Sequence, residues 1–303
     1  MYTLYATLVL IWSSTWVAIK IGLEDCPPLL GAGIRFAAAG VVLLAVAAAT
    51  GRSLRTDARL AAILALMPFA LAYGLVYWGE QHIPSGLAAV LFGVLPLYTA
   101  LLSAVFLPDA PLRARLIAGV LIAIGGLALA FAESADTGDD ELALVGAAAL
   151  AIAPIGASVG NISLKLRARE LEAVALNGWG MLGGGILLLA ASAIGESWGD
   201  AAWTAESVGS ITYLALIGSA VPFVMLTVLL RHISAQATSF LAMLLPFGAL
   251  VFGAALYSEA ITARALAGAA LVAVGLLIAQ GLPARKGRLG VLGVGAREIR
   301  VRD

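Results

Sequence analysis

The stretch HIPSGLAAVLFGVLP at residues 82–96 recurs in diverged form as HISAQATSFLAMLLP at residues 232–246, which lies 150 residues further along the chain. Both copies begin with a His-Ile pair, and a proline follows fourteen residues after each histidine. The match continues in both directions, at an offset of 150 through Leu116/Leu266 to Leu127/Leu277 and at an offset of 145 for Lys20/Lys165 and Gly40/Gly185. A repeat of this length indicates a chain built from two like halves.

The composition places this chain in a membrane. Of its 303 residues, 62% are hydrophobic and 12% are charged, and the mean hydropathy is +1.02. A soluble core of this size cannot bury so much apolar surface. The apolar runs are about 20 residues long, the length that an α-helix needs to cross ~30 Å of hydrocarbon. The alternating segments of about ten residues that form membrane β-barrels are not found.

We therefore predict an all-α integral membrane protein with ten transmembrane helices. The predicted spans are 3–22, 29–49, 60–80, 84–106, 116–132, 142–163, 173–193, 208–230, 236–256 and 263–282. Short polar links separate the spans, so no soluble domain is expected. The first apolar run has no basic segment before it and is predicted to be span one rather than a cleaved signal peptide.

The distribution of cationic residues predicts the orientation. If the amino terminus is cytoplasmic, fifteen of the eighteen Lys and Arg residues fall on the cytoplasmic side, and Lys20, Arg35 and Arg264 are the exceptions. The positive-inside rule then places both termini in the cytoplasm. We expect a multi-pass protein of a bacterial-type inner (plasma) membrane.

Each half holds five spans, so the second half must enter the membrane from the opposite side. We predict two inverted five-helix repeats, at residues 1–135 and 136–283, followed by a basic cytoplasmic tail at 284–303. Inverted halves give two conformations of similar energy, one open to each side of the membrane, as in secondary transporters. A stable bundle without transport is the alternative.

Aromatic and polar residues within the spans are the candidates for a substrate cavity. Trp12 and Trp16 lie one helical turn apart on span one, away from the interface where Trp usually anchors a span. Packing between helices is the alternative for these rings, and anchoring is the alternative for Tyr77 and Trp78. The candidates are Trp12, Ser13 and Trp16 on span one, Tyr73, Tyr77 and Trp78 on span three, Tyr98 on span four, Ser158 and Asn161 on span six, and Asn177 and Trp179 on span seven. The polar residues among them either contact the ligand or form hydrogen bonds between helices.

Two prolines lie in the middle of spans at matching repeat positions. Pro96 and Pro246 each remove a backbone donor and favour a kink. Such points often border the substrate site of a transporter or act as hinges, although tolerated packing kinks are the alternative.

Lys20, Glu24 and Arg35 are candidates for charge pairing near the outer ends of the first spans. Ionisable groups in these positions are costly and suggest either pairing or function. Glu24 follows Lys20 by four residues, a spacing that suits an ion pair on a helix.

The sequence also disfavours several classes of chemistry. No Asp or Glu lies near the middle of a span, so strong ion coupling is not expected. The single cysteine, Cys26, and two histidines at opposite faces do not supply a metal site or the constellation of an intramembrane enzyme. We expect no cofactor and no nucleic-acid partner; the expected partners are a small-molecule substrate and the lipid bilayer.

The amino-terminal run IWSSTWVAIK at residues 11–20, followed by Pro27-Pro28 and Ile34-Arg35-Phe36, resembles the opening of EamA-like members of the drug/metabolite transporter superfamily. The resemblance covers essentially the whole chain. It includes Glu259 before span ten and the glycine pairs Gly119/Gly125 and Gly268/Gly275, and departs from the family at Asp109, where the first repeat usually carries Glu. It implies ten helices in two inverted repeats that move small organic molecules.

These observations lead to an expected function. We expect a secondary transporter of small amphipathic organic solutes that works by alternating access, most often as an exporter of amino acids or other metabolites, aromatic and bulky apolar amino acids included. The alternative is efflux of drugs or quaternary cations, for which aromatic rings supply cation–π contacts. A non-transporting scaffold or receptor is the alternative from another class.

Overall fold

A computed structural model describes residues 2–107, 114–136, 141–168, 171–256 and 262–280, and the described part is helical without strands. The prediction of an all-α membrane protein is confirmed. We label the helices α1 to α10 in chain order, and three of them consist of two segments. They are α1 (Tyr2–Asp25), α2 (Pro28–Ala49), α3 (Ala58–Glu80), α4 (Ser85–Phe92 and Leu95–Phe106), α5 (Ala114–Asp136), α6 (Glu141–Ile152 and Pro154–Arg167), α7 (Ala173–Gly195), α8 (Ala205–His232), α9 (Ala235–Ser239 and Leu241–Leu256) and α10 (Ala263–Gln280).

Among the described residues, seven helices are long and apolar enough to cross a membrane, namely α1 to α4 and α6 to α8. Three shorter apolar helices, Ala114–Gly126, Ala235–Pro246 and Ala263–Ala279, lie at the predicted spans five, nine and ten. Residues 137–140, next to the predicted boundary between the halves, and the basic tail at 284–303 lie outside the described residues.

Local sequence signals explain where several helices begin. The Asp57 carboxylate accepts hydrogen bonds from the backbone N–H groups of Arg59 and Leu60 at the start of α3. Thr204 and Ser234 cap α8 and α9 in the same way through their hydroxyl oxygens. Side-chain acceptors at these positions satisfy amide groups that have no partner within the helix.

The helices are irregular at several prolines. Residues Ala65–Ala72 of α3 form a π-helical stretch that contains Pro68, and Leu216–Ala220 of α8, at nearly equivalent positions, form another. α4 is interrupted between Phe92 and Leu95, directly before Pro96. In α9 the interruption lies at Phe240, whereas Pro246 lies inside a continuous helical segment.

Glycines bring two pairs of equivalent helices into close contact. A methyl group placed on Gly40 of α2 would lie 2.8 Å from the carbonyl oxygen of Gly178 in α7, and one on Gly185 of α7 would lie 2.9 Å from that of Gly33 in α2. The pairing 40/178 and 33/185 shows that α2 and α7 run antiparallel. Because these helices are equivalent in the repeat, the two halves run in opposite directions through the fold.

The same arrangement occurs between α5 and α10. A methyl group on Gly126 would lie 2.8 Å from the carbonyl oxygen of Gly268, and Gly119 packs against Gly275 at the other end of the pair. These helices are again equivalent and antiparallel. Backbone approach of this kind is typical of small-residue contacts between membrane helices.

Candidate functional site

A cavity lies between the two halves of the molecule. Its volume is about 70 Å³. One water occupies ~10–15 Å³ on the same measure, so the cavity has room for a ligand larger than a water molecule. Its walls come from six helices, α1, α3, α4, α6, α8 and α9. The lining residues are Trp12, Thr15, Trp16, Ile19, Pro68, Tyr73, Val76, Phe92, Leu95, Ala157, Asn161, Phe223, Leu226, Thr238, Leu241, Ala242 and Leu245.

Most residues that line the cavity have an equivalent in the other repeat that also lines it. Six pairs of lining residues occupy equivalent positions in the two halves: Trp12/Ala157, Trp16/Asn161, Tyr73/Phe223, Val76/Leu226, Phe92/Ala242 and Leu95/Leu245. The cavity therefore lies on the pseudo-twofold axis between the repeats. Substrate sites of transporters with inverted repeats lie at this interface.

Aromatic rings form much of the wall. Phe223 of α8 makes edge contacts with Trp12 and Tyr73, with ring centroids 5.4 and 6.0 Å apart, and so joins the two halves. Trp16 packs in the same manner against Phe92 of α4, at 5.6 Å. Four of these five rings come from the first half, so the first half supplies most of the flat apolar surface.

The polar groups of the lining residues differ in their hydrogen bonding. The Thr15 and Thr238 hydroxyls donate to the backbone carbonyls of Trp12 and Ser234. Within the described residues, the side-chain amide of Asn161 has no hydrogen-bond partner, and the indole N–H of Trp12 is buried without one. A mostly apolar cavity with a few polar groups suits a small amphipathic molecule.

Arg35 lies directly behind the cavity wall. Its side chain is 0% exposed, and its guanidinium carbon lies 4.9 Å from the centroids of the Phe36 and Tyr73 rings. Nε donates to the Ser219 hydroxyl at 2.8 Å, while the terminal nitrogens make longer contacts with the Tyr77 hydroxyl at 3.3 Å and the Gly218 carbonyl at 3.4 Å. All of these partners are neutral.

Each half contains one lysine, at an equivalent position, that joins two helices through hydrogen bonds to backbone carbonyls. The Lys20 ammonium on α1 donates to the backbone carbonyls of Glu80 and Ile83 at the end of α3, at 3.1 and 3.3 Å. Lys165 on α6 donates to the carbonyls of Leu230 and Ile233 at the end of α8, both at 2.8 Å. Lys20 thus caps a neighbouring helix, and its pairing with Glu24 stays a prediction. A cation at a helix carboxyl end is stabilised by the orphan carbonyls.

Four of the eleven predicted cavity residues line the cavity, namely Trp12, Trp16, Tyr73 and Asn161. Three others lie between helices. Ser13 packs against Gly248 of α9, the Ser158 hydroxyl contacts that of Thr99 at 3.0 Å, and the Asn177 amide donates to Thr227 at 2.8 Å. These contacts join helices rather than face the cavity.

The four remaining predicted residues have other neighbours. Tyr77 is buried and accepts from Arg35, and Trp78 packs against the ring of His82. Tyr98 is partly buried against the hydrophobic core beyond Pro96. Trp179 is 42% exposed and donates its indole N–H to the carbonyl of Leu54, between α2 and α3.

The sequence patterns did not predict that Phe92 and Phe223 line the cavity, or that Glu80 is buried. Adding the repeat offset of 150 to Tyr73 gives Phe223, so the repeat itself contained the signal for this residue. The Glu80 side chain is 0% exposed at the end of α3. Single-helix spacing cannot reveal this burial, which depends on the helices packed around α3.

Comparison with known proteins agrees with this architecture. The sequence profile of the EamA-like transporter family matches twice, at residues 1–132 and 144–280. The chain is 33% identical over 242 residues to the inner membrane transporter YedA of Escherichia coli (strain K12), with coverage of 77% of this chain and 75% of that protein. It is also 32% identical over 126 residues, 40% of this chain and 41% of the other, to a protein of Streptantibioticus cattleyicolor named "Probable terminal-alkyne amino-acid exporter".

A solved crystal structure shares the fold. It superposes with a TM-score of 0.69 at 19% sequence identity and covers 91% of this chain and 96% of that chain. Two family matches, one on each half, coincide with the two groups of helices that meet at the cavity. The chain therefore belongs to the EamA-like transporter family of the drug/metabolite transporter superfamily, and it is a transporter rather than an enzyme.

Proposed function

We propose that the protein moves small amphipathic organic solutes by alternating access and exports amino acids that carry aromatic or bulky apolar side chains. The observation that carries this proposal is the cavity on the pseudo-twofold axis, with an aromatic wall and the amide of Asn161. Inverted halves exchange conformations by a rocking motion around such a central site.

The chemistry of the wall favours this class of solute. Five aromatic rings, those of Trp12, Trp16, Tyr73, Phe92 and Phe223, suit an apolar side chain. The amide of Asn161, which both donates and accepts hydrogen bonds, suits the polar end of an amino acid. The relative from Streptantibioticus cattleyicolor, named for the export of an amino acid, supports the same substrate class.

The proposed orientation follows from charge. Both termini lie in the cytoplasm, with Arg52, Arg167 and Arg231 at the cytoplasmic ends of their helices. The substrate then enters from the cytoplasm and leaves on the outer side of a bacterial-type inner membrane. The resemblance to an inner membrane transporter of Escherichia coli supports this location.

Transport by purified protein in liposomes tests the proposal. We expect wild-type protein to exchange radiolabelled tryptophan, phenylalanine and leucine across the liposome membrane. Trp16→Ala and Tyr73→Ala should weaken tryptophan exchange by at least about tenfold, because removal of one ring contact costs on the order of 1.5 kcal/mol. Trp179→Ala is the matched control, since this ring lies outside the cavity, and should leave exchange unchanged.

Three outcomes would contradict the proposal. Exchange of quaternary cations without exchange of any amino acid would assign the cavity to drug efflux through cation–π contacts. Equal rates for wild type, Trp16→Ala and Tyr73→Ala would remove the substrate from the cavity. Absence of any flux, with ligand binding retained, would favour a receptor.

A further inference from the structure

We propose that Arg35 makes the cavity selective for solutes that carry a carboxylate, and this inference rests on the proposed transport of amino acids. Arg35 lies behind Tyr73 and does not itself line the cavity. It therefore acts as a fixed positive charge in the wall of the site. Solutes without a carboxylate, such as amines and quaternary cations, are disfavoured by the same charge.

The burial of Arg35 is the first argument. Its side chain is completely covered, although it lies in a membrane span about 10 Å from the start of α2, at the ~1.5 Å rise per residue of an α-helix. A cation in such a position is expensive and is usually accompanied by a carboxylate or by a function. No carboxylate is bonded to Arg35 within the described residues.

The three acceptors of Arg35 do not neutralise it. The Ser219 hydroxyl, the Tyr77 hydroxyl and the Gly218 carbonyl are dipoles, and two of the three contacts are 3.3 Å or longer. A guanidinium has five N–H donors, so these contacts leave part of its capacity unused. The dipoles hold the group in place while its positive charge persists.

The position of Tyr73 connects Arg35 with the solute. The guanidinium carbon of Arg35 lies over this ring, 4.9 Å from its centroid, and Tyr73 also lines the cavity. The cavity is thus separated from the charge by roughly one aromatic ring. Apolar surroundings screen a charge far less than water does, so Arg35 acts on a solute at this separation.

This geometry predicts how an amino acid lies in the cavity. Its carboxylate faces the Tyr73 wall in front of Arg35, and its side chain packs toward Trp12 and Trp16. The amide oxygen of Asn161 accepts a hydrogen bond from the ammonium group. Solutes that lack the carboxylate lose the attraction and keep only the ring contacts.

Competition in proteoliposomes tests the role of Arg35. Exchange of radiolabelled tryptophan is measured with unlabelled tryptophan, tryptamine, which lacks the carboxylate, and 3-indolepropionate, which lacks the amine. For wild-type protein we expect tryptamine to compete on the order of tenfold or more weakly than 3-indolepropionate, because a close charge pair contributes strongly to binding.

Variants at Arg35 separate charge from packing. Arg35→Gln should make the two competitors nearly equal, whereas Arg35→Lys should keep the wild-type order because it retains the charge. Arg231→Gln is the matched control. Arg231 lies at the end of α8, bonded to the carbonyl of Leu171 and away from the cavity, so this variant should keep the wild-type order.

The outcomes distinguish this inference from the proposed function. Equal competition by tryptamine and 3-indolepropionate in wild-type protein, or an unchanged preference in Arg35→Gln, overturns the role of Arg35 while tryptophan exchange still supports the transporter. No exchange of any amino acid by wild-type protein overturns the proposed function first. If Arg35→Gln fails to fold, the wild-type competition still overturns the inference when tryptamine and 3-indolepropionate compete equally.

Discussion

Cys26, the single cysteine of the chain, is buried between α1 and α2 beside Leu30 and Ile211. Its neighbour Glu196 at the end of α7 accepts hydrogen bonds from the backbone N–H groups of Leu29 and Leu30, at 2.8 and 2.9 Å, and so caps α2 from another helix. Burial, together with the nearby carboxylates of Glu196 and Asp25, raises the pKa of the Cys26 thiol from 9.0 to about 11. The thiol is therefore protonated at neutral pH.

This environment predicts slow thiol labelling. At pH 8, about one Cys26 in a thousand is ionised when the pKa is about 11, and only the thiolate reacts. Labelling by a maleimide should accelerate as the pH rises toward 11. The folded state holds this proton more tightly than the unfolded chain, so the stability that Cys26 contributes is present below pH 9 and is lost as the pH approaches 11.

The control for Cys26 is an exposed thiol. Ser197→Cys in a Cys26→Ser background places a cysteine in the exposed segment after α7. It should label at least about a hundredfold faster at pH 8, because an ordinary thiol has a pKa near 8.5. Equal labelling rates for Cys26 and for the introduced cysteine would contradict the buried environment.

Part of the site can be read from the sequence. Trp12 and Trp16 fall one turn apart, so helical periodicity alone predicts that they face the same cavity. Ser13 and Ser158 have the same polarity as true lining residues, but they face Gly248 of α9 and Thr99 of α4. That distinction depends on which helices are neighbours, and no single-helix pattern contains this information.

At the scale of helices, glycine position decides how closely α5 and α10 pack. Gly126 faces α10, where an added methyl group would lie 2.8 Å from the carbonyl oxygen of Gly268 and from the backbone nitrogen of Val272. The adjacent Gly125 has nothing within 4 Å of the same position. Two neighbouring glycines on one helix therefore have different roles.

The pair provides a matched test of helix packing. Gly126→Ala should lower the stability of the protein by about 1–3 kcal/mol, because backbone atoms must move to admit the methyl group. Gly125→Ala should leave stability unchanged or slightly higher, since alanine favours a helix. Apparent unfolding temperatures in detergent measure both effects, and an equal loss in the two variants would contradict the packing of α5 on α10.

Helix irregularity was the least predictable part of the fold. Pro96 and Pro246 have matching positions in the sequence, yet α4 is interrupted directly before Pro96 and α9 is interrupted at Phe240. Proline removes a backbone donor in both helices, but contacts with neighbouring helices determine where each helix is interrupted. The carbonyl of Pro96, for example, accepts a hydrogen bond from Gln236 of α9 at 3.2 Å.

For the whole molecule, the antiparallel packing of equivalent helices defines the relation between the halves. The number of spans and the offsets of the repeat predicted this inversion, because both are global properties of the sequence. The cavity follows from it, since α1, α3 and α4 meet their equivalents α6, α8 and α9 around one axis. Arg35, which belongs to α2, contacts the lining residue Tyr73 from outside the cavity.

Equivalent loops in the two halves test the orientation. Ser53→Cys lies after α2 and Ser197→Cys after α7, each in a Cys26→Ser background, and both positions are exposed. We expect a membrane-impermeant maleimide to label Ser197→Cys in right-side-out membrane vesicles and Ser53→Cys only after the vesicles are opened. The reverse pattern would contradict cytoplasmic termini, and labelling of both from one side would contradict the inversion.

The lysine contacts also bear on how two copies of one ancestral segment can diverge. Lys20 and Lys165 each bind backbone carbonyls, so the identity of the acceptor side chain does not matter to the bond. Glu80 in one half and Leu230 in the other accept equally well, although one side chain is acidic and the other apolar. Because the lysine binds the main chain, the side chain at an acceptor position can change after duplication without loss of the hydrogen bond. The two halves can then differ in their side chains while the same helices stay in contact.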